Sequence, residues 1–138
     1  MKKYDYTQNG FYFVTLCTSE KRKSISSYKK ILERELINLT KRFKFVEVNE
    51  KIFMDNHCHL IFKLEDVNIS LPKIIQAYKS ITTLKIKKNG YKYRRFWQPN
   101  YYEHIVRSQR ELLKIKLYIR AHPYGEKIDW TKVDDYVL

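Results

Sequence analysis

The chain has 138 residues, 43% of them hydrophobic, with 3 Gly and 3 Pro. That suits one compact domain with its own core and excludes a disordered, repeat or loop-rich chain. Lys and Arg number 28 against 15 acidic residues, a net charge of +13, far beyond what solubility requires, so a polyanionic partner is expected.

In chain order, Phe11 to Cys17 is aromatic and β-branched after Gly10, and reads as the first strand. A polar, basic loop follows at Ser19 to Lys23. From Ser26 to about Arg42, Ile31, Leu32, Leu36, Ile37 and Leu39 recur at helical spacing, with Ser26 or Ser27 as cap. Phe43 to Met54 turns aromatic and β-branched, with Phe43 and Phe45 on one face of an extended chain. It reads as a second strand, joined tightly to a third at Asn49-Glu50 or Asp55-Asn56. The third runs from His57 to Leu64. After a loop at 65–68, Ser70 is the expected cap of a helix with Pro72 in its first turn. Leu71, Ile74, Ile75, Tyr78, Ile81 and Leu84 line its buried side, and Asn89-Gly90 stops it. Tyr101 to Val106 supplies a fourth strand. Ser108 and Glu111 match a capping box, which opens a last helix ended by Pro123 and Gly125. Lys127, Ile128, Trp130, Val133 and Tyr136 then pack a short tail weakly.

Strand, helix, strand, strand, helix, strand is the split βαβ order. The fold expected is α+β: a ferredoxin-like β-α-β-β-α-β antiparallel sheet with an added C-terminal helix. It forms a single domain over 1–138, with a core at about 10–123 and a tail at 124–138. No apolar run is long enough to cross a membrane, and the charged N-terminus lacks the apolar stretch of a signal peptide. Cys17 and Cys58 sit in apolar runs as reduced, buried thiols, which points to the cytoplasm.

The stretch that carries chemistry is Asp55-Asn56-His57-Cys58-His59-Leu60-Ile61-Phe62. On a strand His57 and His59 share one face, while Cys58, Leu60 and Phe62 face the other way. The two histidines stand roughly 6–7 Å apart at Cα, so both imidazoles can reach one cation. On the last helix Tyr118 and His122 are four residues apart, which leaves them about 40° apart on one face. If that helix packs over the His57/His59 face, His122 becomes a third ligand and Tyr118 stands beside the metal. Otherwise Tyr118 is a core-edge aromatic and His122 a solvated helix end.

With 12 tyrosines among so many bases, single-stranded nucleic acid is a suitable partner, its phosphates meeting Lys and Arg and its bases stacking on rings. The run from Tyr91 to Asn100 is densest in both. Lys92, Arg94, Arg95 and Trp97, with Arg107 beyond the fourth strand, are the candidate DNA-binding residues. Phe96 and Trp97 fit equally well as a closure of the core. Tyr101, Tyr102 and His104 are read as packing, stacking or phosphate-facing residues.

Three segments together resemble the HUH single-tyrosine transposases, most closely the bacterial REP-associated tyrosine transposases. They are His57-Cys58-His59-Leu60-Ile61-Phe62, Phe96 through Arg107, and Tyr118-Ile119-Arg120-Ala121-His122-Pro123. The resemblance implies that His57 and His59 bind a divalent metal, Mg²⁺ or Mn²⁺, and that Tyr118 is the nucleophile. His122 falls where relatives carry an amide ligand. An imidazole there is softer, which favours Mn²⁺ or even Zn²⁺ over Mg²⁺. Asp55 departs from the proline usual at its position; Asn56 fits. The implied activity is cleavage and rejoining of hairpin-bearing single-stranded DNA through a 5′-phosphotyrosine, by a monomer or homodimer acting on bacterial DNA. Two other readings of the same residues stand beside it: a non-catalytic single-stranded nucleic-acid-binding module of ferredoxin-like fold, and a structural zinc site.

Overall fold

The structure is a computed structural model that describes residues 9–65 and 69–138. The charged N-terminal stretch and positions 66–68 of the expected loop lie outside the described residues. The elements are β1 (Gly10–Cys17), α1 (Ile25–Arg42), β2 (Val46–Phe53), β3 (His57–Leu64), α2 (Leu71–Lys88), β4 (Tyr102–Val106), α3 (Gln109–Ala121) and α4 (Trp130–Asp134). The four strands form one sheet in the order β2-β3-β1-β4. All neighbours are antiparallel. This is the ferredoxin-like arrangement with an added C-terminal helix, as the order of elements predicts.

Alternation along the strands builds two separate cores. Tyr12, Val14 and Leu16 of β1 join Cys58, Leu60 and Phe62 of β3 beneath α1 and α2. On the other face Phe13 and Ile61 pack against Leu112, Ile115, Tyr118 and Ile119 of α3 and Val133 of α4. The register pairs Thr15 with His59 and Cys17 with His57. Partners across a ladder point the same way, so these four side chains share the α3 face.

Burying a large apolar side chain contributes roughly 1.5–3 kcal/mol, and α3 buries four residues on this face. The Arg120 pair with Glu50 of β2, 2.9 Å from Nε, is an exposed contact worth about 1 kcal/mol at most. The apolar stripe therefore docks α3 on Phe13 and Ile61, on the sheet face that also carries the histidines, and the ion pair adds little. At the start of α3 Ser108 accepts from the Glu111 N–H at 3.0 Å, as the capping box predicts. The Glu111 carboxylate returns to the Arg107 N–H rather than to Ser108.

Several boundaries differ from expectation. α1 begins at Ile25 after Ser24, with no side-chain cap; Ser26 instead donates to the Asp55 carboxylate. Phe43 and Phe45 share no strand face. Phe43 ends α1, and Phe45 sits at φ 66, 60% exposed, a left-handed turn that delays β2 to Val46. The bulge falls between Val48 and Glu50. The tight connection is Asp55-Asn56, closed by the Met54 N–H on the His57 carbonyl at 2.8 Å. The tail packs firmly rather than weakly: Val133 is fully buried, with Ile128, Trp130 and Tyr136 against it.

Candidate active site

His57 and His59 open β3 side by side, their rings 4.9 Å apart and both buried. His59 receives Thr15 from β1, with Oγ1 2.8 Å from Nδ1. Its Nε2 is buried with no hydrogen-bond partner among the described residues. Burial, and then the neighbouring His57, push His59 down to about 4, while the nearby Pro123 and Gly125 carbonyls offset part of this. The ring is therefore neutral at pH 7. When Nδ1–H donates to Thr15, Nε2 presents a bare lone pair. A buried nitrogen left unpaired costs roughly 1–3 kcal/mol; one reason to keep it is a ligand that completes it.

His57 is engaged at both nitrogens. Nδ1 lies 2.8 Å from the Asn56 side-chain amide, whose NH₂ group can donate to it. Nε2–H donates to the Pro123 carbonyl, also at 2.8 Å. A carbonyl only accepts, so this nitrogen carries a proton and cannot ligate a metal while the contact lasts.

Pro123 begins a segment that crosses the site. Glu126 approaches Cys17, whose thiol is pushed up to about 11 by burial and then by that carboxylate. The Asp129 N–H points to the Tyr118 hydroxyl at 3.5 Å. Asp129 then caps α4 by accepting from Thr131 and Lys132. The stretch from Pro123 to Asp129 thus touches His57, Cys17 and Tyr118 in turn.

Tyr118 projects from α3 onto the histidine face and is largely buried. His122 does not join the pair. α3 ends at Ala121, and His122 leaves helical geometry at φ −132, ψ 62. Its ring is exposed, 5.2 Å from the Tyr118 ring. Among the described residues no three of His, Cys, Asp and Glu gather as a metal cluster.

The candidate DNA-binding residues divide. Lys92, Arg94 and Arg95 are exposed on the loop before β4. Trp97 is corrected to the core: it is 5% exposed and its Nε1–H donates to Thr82 at 3.0 Å. Arg107 is exposed but follows Val106, which pairs with Phe11. Arg107 is one residue further, five steps along the ladder from Thr15, so it lies roughly 17 Å along the sheet from the histidine end. His104 is structural, bonded to Glu111 at 3.0 Å and stacked on Trp130 with centroids 3.9 Å apart. Sequence reading missed Thr15, Cys17 and the segment from Pro123 to Asp129, because their relation to the histidines depends on strand register and chain return.

A family profile described as "Transposase IS200 like" matches residues 7–122. The chain belongs to the IS200-like transposase family. Two curated proteins from Haemophilus influenzae are similar to this chain. One, whose name assigns it provisionally to the REP-associated tyrosine transposases, is 27% identical, covering 91% of this chain and 80% of its own. The other, an uncharacterized protein, is 25% identical, covering 97% and 91%. Among solved structures, a REP-associated tyrosine transposase bound to a REP hairpin aligns with TM-score 0.73 at 19% identity, over 99% of this chain and 80% of that one. A Deinococcus radiodurans protein provisionally described as a transposase aligns at 0.60 and 16%, over 88% and 96%. The fold of this IS200-like chain is thus that of the REP-associated transposase.

Proposed function

We propose that this IS200-like transposase is a metal-dependent single-stranded DNA endonuclease and strand transferase that acts at hairpin-bearing DNA through a 5′-phosphotyrosine on Tyr118. The observation that carries the reading is the buried Nε2 of His59, without a hydrogen-bond partner among the described residues, beside His57 on the face where α3 presents Tyr118. The solved relative bound to a REP hairpin supports the choice of substrate.

The donor set fits a divalent cation. Two imidazoles with the remaining positions open describe a working site rather than a closed structural one. His57 and His59 would hold the ion, with His122 joining only after Pro123 has left His57. A bound Mg²⁺ or Mn²⁺ supplies positive charge against that developing on phosphate oxygen. The Tyr118 oxygen forms the new bond to phosphorus, and the bond to the 3′ oxygen breaks. The phenolic proton ends on the departing 3′-hydroxyl. The resulting ester keeps the energy of the phosphodiester, so another 3′-hydroxyl can reverse the step without ATP.

Thr15 positions His59 by holding its Nδ1. Thr15→Val should weaken Mn²⁺ binding about 10- to 100-fold, read by calorimetry, while Thr15→Ser retains it; unchanged affinity in Thr15→Val contradicts this role. Ligation of His57 also requires release of the Pro123 carbonyl. Saturating Mn²⁺ should therefore speed amide exchange across residues 124–129; exchange that stays the same shows that the ion binds without opening the segment.

The function itself is tested with labelled hairpin DNA bearing single-stranded ends. Mn²⁺ should yield a product with a free 3′-hydroxyl and a protein-linked partner strand, and a chelator should prevent both. Tight binding with no cleavage under any divalent ion favours the non-catalytic module instead.

A further inference from the structure

A second feature adjoins the histidine end of the sheet. Two consecutive non-glycine residues, Glu20 (φ 54) and Lys21 (φ 56), adopt the left-handed region. Such strain persists only where surrounding contacts impose it, and it clusters at functional loops. Here Thr18 ties the turn down: its single hydroxyl proton is shared between the Arg22 carbonyl at 2.7 Å and the Asn56 carbonyl at 3.1 Å. The Thr18 N–H also reaches the Asn56 carbonyl at 2.9 Å, and Asn56 directly precedes His57.

The turn delivers the Arg22 guanidinium onto the Tyr93 ring, 3.7 Å from its centroid. Tyr93 remains 55% exposed. The Ser19 N–H on the Phe96 carbonyl at 2.8 Å and the Gln98 side chain on the Thr18 carbonyl at 3.1 Å join the two loops. Lys21 and Lys23 flank Arg22 in the chain, and Arg94 and Arg95 follow Tyr93, all four exposed. Glu20 pairs with Arg22, which leaves the four flanking cations to dominate the charge of the two loops.

We infer that Arg22 and Tyr93 form a stacking subsite for a nucleobase of the single strand flanking the hairpin, with Lys21, Lys23, Arg94 and Arg95 meeting its phosphates. The inference rests on the DNA substrate proposed above. A base stacks on an aromatic face whatever its identity, and a guanidinium extends that platform. Position supports the choice: a strand leaving the His57 end of the sheet passes Asn56 and Thr18 to reach this turn. A loop-stapling role alone accounts for the stack but leaves the exposed Tyr93 ring and the cations flanking it in the chain without use.

The test compares two DNAs, the hairpin with single-stranded extensions and the same hairpin blunt, by fluorescence anisotropy at fixed salt without divalent ion. The wild-type protein should prefer the extended DNA. Tyr93→Ala should lose about tenfold or more of the affinity for extended DNA, the size expected of one stacked base, with blunt-hairpin binding unchanged. Tyr93→Phe should keep the preference, and Arg22→Ala should reduce it. Partial unfolding weakens both complexes equally, so the ratio of the two affinities is the readout. A ratio unchanged in Tyr93→Ala, or a wild-type protein indifferent to the extensions, overturns the subsite while leaving the catalytic reading intact. Failure of the wild type to bind either DNA overturns both.

Discussion

Tyr118→Phe abolishes covalent protein–DNA adducts, a loss of at least about 10³-fold in strand cleavage, while hairpin binding stays near the wild-type level. The ring keeps its place against Phe13, Ile115 and Ile119 in the α3 core. The hydroxyl gives up only a 3.5 Å approach from the Asp129 N–H, so unfolding stability should change by less than about 1 kcal/mol. Chemistry and folding therefore separate in this variant. Denaturing gels of labelled hairpin DNA read the first, and thermal melts the second. Adducts formed at the wild-type rate would remove Tyr118 from the reaction and return it to a packing role.

His59→Leu should move activity and acid stability in opposite directions. Leucine removes Nε2, the nitrogen proposed to hold the metal, and with it the metal affinity and the cleavage. It also removes a buried imidazole held near 4 against an ordinary 6.5. Above pH 6.5 the ring is neutral whether folded or unfolded, and it contributes no pH dependence. As pH falls from 6.5 toward 4, the unfolded chain takes up the proton while the folded site refuses it. Stability present above pH 6.5 is thus lost on acidification, by about 2.5 kcal/mol at pH 4.5. Urea unfolding at pH 7.5 and 4.5 should show the wild type losing more than the variant by roughly that amount. Equal acid losses would mean that His59 titrates normally and that its burial is relieved in solution.

The sequence exposes what depends on period and misses what depends on register. The apolar stripe of α3, at Leu112, Ile115 and Ile119, is legible because helical spacing is local, and it dictates which helix face docks. The shared face of His57 and His59 follows from strand alternation alone. Thr15 and Cys17 carry no such signal: only the pairing of β1 with β3 sets them beside those rings. Trp97 sits in a run of bases that reads as a DNA-facing loop. Its bond to Thr82 comes from α2, fifteen residues earlier, and no local pattern reports that. His122 does lie against Tyr118, with the rings 5.2 Å apart, but as the C-cap residue before Pro123 it leaves helical geometry and its ring is exposed. The return of Pro123 over His57 is the least legible feature, since a backbone carbonyl has no residue type to mark it.

The central claim is that Tyr118 attacks DNA phosphorus beside the paired histidines. Its most direct test is tandem mass spectrometry of the adduct formed by wild-type protein with hairpin DNA and Mn²⁺, after digestion of protein and DNA. The expected product is a nucleotide joined through its 5′-phosphate to Tyr118, on the peptide that spans α3. A nucleotide carried by Tyr102, Tyr124 or any other side chain, or a cleaved strand with no protein attached, would contradict it.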